Sequence, residues 1–210
     1  MKSLRIMAGA TALVALAPMA TWADGHLTRG GSGHLNIIYW QAPSTLNPFL
    51  SGGTKEVESA SLVRESLARF DDTGEITPWL AAEIPTVENG GISEDLTTIT
   101  WSLREGVLWS DGTPFTAADA VFTWEYCTHP EGGCAQTQYF EGVTSVEALD
   151  DLTVQITFDA PTPFPYTALV GSESPIIQAA QFADCLGARA PDCTEANFGP
   201  LGTGPFVVTD

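Results

Sequence analysis

"WSLREGVLWSDGTPFTAADAVFTWEYC", residues 101–127, decides how the chain is read. Just before and within its start, Ile99, Trp101 and Leu103 alternate with Thr98, Thr100 and Ser102, so residues 97–103 read as a strand with one buried and one wet face. Ser110-Asp111-Gly112 then reads as a turn: aspartate bonds the backbone two residues on, and glycine accepts a positive φ without a Cβ clash. Thr116 opens a helix, with Asp119 three residues later placed to close a capping box and to complement the positive end of the helix dipole. Val121, Phe122 and Trp124 follow, and they predict an aromatic face that packs this helix on the sheet.

Working outward, residues 143–149 and 152–158 flank Asp150-Asp151 and predict a hairpin, with Val154, Ile156 and Phe158 on one face. "APTPFPY" carries prolines at 161, 163 and 165 and reads as a kinked surface connection. Phe182 falls in a short helix, and "GTGPFVVTD" from Gly202 reads as the start of a new strand. Upstream, the nearly continuous apolar run Leu35 to Trp40 suits a buried strand, and Val57, Ala60, Leu62, Val63 and Leu67 predict a helix over 54–68 with Thr54 as its N-cap.

The N-terminus reads as an export signal. Lys2 and Arg5 supply a positive start, residues 6–17 are apolar but too short to span a bilayer, and a cut after Ala23 fits the small residues there, with Ala20 as the alternative. The first cysteine is Cys127, so no lipid-bearing cysteine follows the cut, and no membrane anchor is expected. The formal net charge is −18, and it becomes more negative once the leader is gone. Clustered Lys and Arg, which nucleic acids and anionic membranes require, are missing. With 44% hydrophobic residues, 20 glycines and 14 prolines the chain is globular and rich in turns.

Four cysteines in an exported chain predict two disulfides, and the spacing favours the local pairs Cys127 with Cys134 and Cys185 with Cys193, although four cysteines allow three pairings. His129 beside the first pair raises a zinc reading, which lacks a fourth close ligand. No metal and no cofactor are expected.

The run "TWSLREGVLWSDGTPFTAADAVFTWEY", with "TLNPFL" before it and "ALDDLTVQITFDAPTPF" and "GTGPFVV" after it, resembles the family 5 extracellular solute-binding proteins, the peptide- and nickel-type binding components of ATP-binding-cassette importers. The resemblance runs in order from about Leu35 to Val208. It implies an α/β fold like the type II periplasmic binding proteins. Residues 1–23 would be the signal, 24–34 a flexible tail, 35–53 a first-lobe segment, 54–199 the family's extra α+β subdomain, and 200–210 a strand returning to the first lobe. The second lobe would be missing, since members of that family are much longer, and the chain would be an N-terminal fragment. The implied function is capture of a peptide or peptide-like solute in an interlobe cleft and its delivery to an inner-membrane permease. The implied setting is the periplasm of a Gram-negative bacterium, with the full-length protein a monomer. An oligosaccharide, opine, haem or nickel chelate is the alternative solute.

Polar loop residues at strand ends are the candidates for solute contact: Gln41, Ser44 and Thr45, then Gly52, Gly53 and Thr54, where backbone amides at a helix start can receive a carboxylate. A secreted hydrolase needs a nucleophile with its base or a carboxylate pair in a cleft. Neither G-x-S-x-G nor H-E-x-x-H occurs, and His26, His34 and His129 sit in a tail, at its edge and in a cysteine loop, so the chain is not read as an enzyme.

Overall fold

The computed structural model describes residues 37–209. The chain divides into two units, Met1–Ile38 and Tyr39–Asp210, and every described element lies in the second. The expected export signal (residues 1–23), His26, His34 and the expected tail (24–34) lie outside the described residues.

A three-stranded antiparallel sheet forms the centre. Strand β3 (Thr98–Ser102), β4 (Val143–Asp150) and β5 (Thr153–Phe158) run in the order β3-β5-β4. The period-two pattern fixes its register: Ile99 stands opposite Ile156 and Trp101 opposite Val154, so all four side chains share the buried face. Trp101 is fully buried and meets the edge of Tyr166, 6.2 Å between ring centroids. Tyr166 in turn donates its hydroxyl to the Pro85 carbonyl (2.7 Å), which ties down the proline-rich connection. A smaller hairpin pairs β1 (Ala68–Phe70) with β2 (Ile76–Pro78).

The turn after β3 forms as its sequence predicts. Gly112 sits at φ 86°, and Asp111 Oδ1 accepts the Thr113 N–H at 2.9 Å and the Thr113 hydroxyl at 2.7 Å. Helix α2 (Ala117–Thr128) follows with its capping box: Asp119 Oδ2 accepts the Thr116 N–H at 3.0 Å. The same carboxylate accepts the Trp109 indole N–H (3.1 Å) and, through Oδ1, the Ala179 N–H (2.9 Å). One buried side chain thus joins the turn, α2 and the short helix α3 (Ala179–Phe182).

Four expectations are corrected. The helix predicted over 54–68 is α1, Thr54–Ala60, and Gly53 rather than Thr54 is its N-cap. It stops early because Val63 to Ala68 are all buried. A stretch buried on every side crosses the interior instead of laying one stripe on it. Its backbone bonds distant partners, with the Val63 carbonyl accepting the Gly204 N–H and the Leu67 N–H reaching Leu169. Helix α2 buries Ala117, Ala120, Thr123, Tyr126 and Cys127, while Val121, Phe122 and Trp124 are only half-buried. Small residues let the helix approach closely, and Val121, Phe122 and Trp124 pack against the core from its flank. Residues 37–40 of the expected strand Leu35–Trp40 are exposed and unpaired, and Leu35 and Asn36 lie outside the described residues. Residues 203–209 form no ladder either. Both runs have strand composition, but neither is paired with a described strand, and composition alone does not supply the partner that a ladder needs.

Two disulfides join Cys127 to Cys134 (Cα–Cα 5.1 Å) and Cys185 to Cys193 (5.9 Å). The second clasp closes over the 3₁₀ turn Gly187–Asp192 and ties Cys185, just past α3, to Cys193, the N-cap of helix α4 (Thr194–Phe198). Among the described residues no helix is long and apolar enough to cross a membrane.

Candidate functional site

The segment 45–50 is held by one buried residue, Asn47. Its amide donates to the Tyr126 hydroxyl on α2 (3.0 Å) and to Asn197 Oδ1 on α4 (2.9 Å), while its own Oδ1 accepts the Phe49 N–H (3.1 Å). Leu46 N–H and the Thr45 hydroxyl both donate to the Asn197 carbonyl (2.8 and 3.3 Å). This anchoring sets the backbone that runs on to Gly52. From the other side, the first disulfide leads into Ala135, whose N–H donates to the Phe49 carbonyl at 2.8 Å. Buried Gln136 donates to the Pro48 carbonyl (3.3 Å) and accepts from Gln138 (3.0 Å).

Between these two anchored loops lies a cavity of about 550 Å³. Gly52, Thr54, Val57 and Glu58 form one wall, and Ala135, Gln136, Gln138 and Tyr139 form another. Ser172 and Glu173 close it. Amides, a phenol and two carboxylates over a small apolar base suit a polar organic solute. A second concavity of about 500 Å³ beside Cys185–Cys193 is lined by none of the sequence-derived candidates.

Of those candidates, Gly52 and Thr54 line the cavity, and Gly53 lies between them as the N-cap of α1. Gly53 N–H is engaged by the Ser51 hydroxyl (3.3 Å) and its carbonyl accepts the Glu56 and Val57 N–H groups. Thr45 is buried in the Asn47 anchor. Gln41 is exposed and outside the cavity wall. Ser44 is drawn to α1 instead, giving its N–H (2.8 Å) and hydroxyl (2.6 Å) to Glu56 Oε1. Glu58, Gln136, Gln138, Tyr139, Ser172 and Glu173 were not picked out from sequence. They carry no motif, and only the tertiary fold brings residues 52–58, 135–139 and 172–173 together. The thiols of Cys127 and Cys134 are spent on each other, and His129 Nδ1 accepts the Glu131 N–H (3.2 Å).

Glu56 is buried, with 1% of its surface exposed. Burial pulls its carboxyl upward, but the Lys55 ammonium and then the Ser44 hydroxyl and amide outweigh that pull and hold it down to about 2, below the ordinary 4.5. A carboxyl depressed in the folded state stabilises above its unfolded value and loses that contribution as pH falls through the folded value. Wild type is therefore expected to lose stability relative to Glu56→Gln between about pH 4.5 and pH 2. Thermal melts across that range check this, and parallel curves would contradict it.

The model of the family described as bacterial extracellular solute-binding proteins, family 5, middle region, matches residues 75–210. Protein XP55 of Streptomyces lividans is 32% identical over 203 residues, covering 96% of this chain and 34% of its own length. The dipeptide-binding protein of Escherichia coli K12 is 30% identical over 185 residues, covering 79% of this chain and 33% of its own. Among solved structures, the binding protein AgaA of A. tumefaciens R10 in complex with agropinic acid superposes with a TM-score of 0.66 at 29% identity, covering 80% of this chain and 31% of that one. The chain spans about a third of the length of the curated relatives it matches.

Proposed function

The chain belongs to the bacterial extracellular solute-binding proteins of family 5, and from that premise we propose that it captures a small peptide for an ATP-binding-cassette importer. The observation that carries this reading is the polar cavity of about 550 Å³ between the loop at Gly52–Thr54 and the segment that follows the first disulfide. A peptide presents alternating amide donors and acceptors, and the Gln136, Gln138, Tyr139 and Ser172 side chains around the cavity are of the kind that pair with them. The E. coli relative, named for dipeptide binding, supports a peptide as the solute.

In this reading residues 1–23 direct export to the periplasm of a Gram-negative cell and are removed. Residues 35–53 and 200–210 belong to a first lobe, and 54–199 form the subdomain. A second lobe beyond Asp210 completes the cleft. The loaded monomer delivers its solute to the inner-membrane permease, with no catalytic step and no cofactor. An opine is the second reading, favoured by the likeness to AgaA, whose structure holds agropinic acid.

The test is a thermal-shift screen of the full-length protein against di- and tripeptides, opines, oligosaccharides and nickel chelates. A solute present at 100 times its Kd stabilises by about 2.7 kcal/mol, so the true class stands out. The expected result is the largest shift from a peptide. A shift from an opine or chelate with none from any peptide would overturn the assignment.

A further inference from the structure

Two consecutive residues at the end of α2 hold opposite walls of the cavity. Tyr126 and Cys127 are 2% and 1% exposed, so both are fixed in the core. The Tyr126 hydroxyl accepts from Asn47, and its ring lies 6.1 Å from that of the buried Phe49, which fixes the segment leading to Gly52 and Thr54. Cys127 is joined covalently to Cys134, the residue just before the opposite wall of Ala135, Gln136, Gln138 and Tyr139. One helical turn therefore sets the width of the cavity.

The second wall has little else to hold it. Among the described residues, no hydrogen bond ties 130–139 to a distant part of the chain except those from Ala135 to the Phe49 carbonyl and from Gln136 to the Pro48 carbonyl. Both reach the approach to the first wall, so the two walls lean on each other. Phe140, 4% exposed, anchors the far end of the segment, and Cys134 anchors the near end. The Gln136 N–H donates to Cys134 Sγ (3.4 Å), so the sulfur that carries the link also directs the wall away from it.

We propose that the Cys127–Cys134 disulfide is a positioning element of the solute site: it holds the 135–139 wall at its distance from the Gly52–Thr54 wall, and its loss lowers affinity in a protein that stays folded. The inference rests on the reading of this cavity as the solute site. A cross-link between residues seven apart constrains the unfolded chain less than a long one does, and its effect here is felt locally in the native state. Without it, residues 135–139 sample positions away from the first wall, and a solute must order them as it binds. That weakens affinity and speeds release.

The test compares three forms of the full-length protein: wild type, Cys127→Ala with Cys134→Ala, and Val154→Ala. Val154 is fully buried in β5 and lines no part of the cavity, so its truncation lowers stability without touching either wall. Calorimetric titration with Ala-Ala-Ala is expected to show affinity weaker by roughly tenfold or more for the cysteine variant and unchanged for Val154→Ala. Hydrogen exchange read by mass spectrometry is expected to quicken at 135–139 in the cysteine variant and to stay unchanged in its central sheet. A disulfide with a structural role alone predicts another pattern, in which both variants lose stability and neither loses affinity or local protection. That pattern, or exchange that quickens evenly over the chain, would overturn the inference while leaving the peptide reading standing. If Ala-Ala-Ala binds none of the three, the failure belongs to the peptide reading, and exchange alone decides: local quickening sustains the positioning role, and its absence overturns it. Should the alanine pair fail to fold, Cys127→Val with Cys134→Ala restores buried volume without the link and takes its place. Failure of both to fold would overturn the inference, since the disulfide would then be a requirement of the fold.

Discussion

Asp119→Ala is expected to lower the stability of the chain by about 3–4 kcal/mol, a loss in the range reserved for breaking a buried network. The carboxylate is 6% exposed and accepts from three donors on three different segments: the Trp109 indole, the Thr116 backbone and the Ala179 backbone. Alanine leaves all three donors without their acceptor, and water cannot reach Trp109, which is 3% exposed. The capping box is lost as well, which on its own costs about 1 kcal/mol. Asp95→Ala provides the comparison, since among the described residues Asp95 accepts only from Ser93 and Thr97 in an exposed turn and should cost less than about 1 kcal/mol. Urea denaturation of both variants measures the difference. A loss below about 1 kcal/mol for Asp119→Ala would show that the three bonds do not act as described.

Arg64→Met is expected to do the reverse and raise stability by about 2 kcal/mol. Arg64 is 1% exposed, and none of its three side-chain nitrogens has an acceptor among the described residues. Its guanidinium lies 5.1 Å from the centre of the Phe182 ring, a contact that returns only part of the desolvation cost. Burial pushes the group down to about 9, partly opposed by Tyr126, so it still carries its charge at pH 7. Methionine keeps the length of the stem and removes the charge. The sign with pH follows from the direction of the shift. A base whose folded value is depressed imposes its full cost below that value, and the cost shrinks as pH rises through it. The advantage of the variant should therefore be greatest near pH 7 and narrow above about 9. Melting curves at pH 7 and pH 10 test both statements, and a destabilised variant at pH 7 would contradict them.

These two residues also show what a sequence reader can and cannot see. Asp119 was legible because a capping box is a local device, with its partner three residues away and a turn just upstream. The strand 98–102 and the hairpin about Asp150-Asp151 were legible for the same reason, since period and turn chemistry act over a few residues. Arg64 was not legible. Its burial arises where a segment bonded to Leu169 and Gly204 is forced through the interior, and that also ends α1 at Ala60. Asn47 follows the loop that supplied Gln41, Ser44 and Thr45 as candidates, but its partners stand 79 and 150 residues away, and they turn it inward. At the cavity, a Gly-rich loop before a helix pointed to Gly52 and Thr54. The facing residues 135–139 are brought to the site by the first disulfide and by the bonds from Ala135 to Phe49 and from Gln136 to Pro48.

In the proposed function these residues supply one side of a solute site, and capture needs a second lobe. Closure of two lobes desolvates a solute on both sides and draws affinity from a shift of populations between open and closed forms. Calorimetric titration of the full-length protein and of the 210-residue chain with the same peptide tests this most directly, with circular dichroism recording that the shorter chain is folded. The account predicts measurable binding by the full-length protein and affinity weaker by at least about a hundredfold for the folded 210-residue chain, a difference of about 2.8 kcal/mol. Equal affinity would place the whole site within these residues and contradict the two-lobe account.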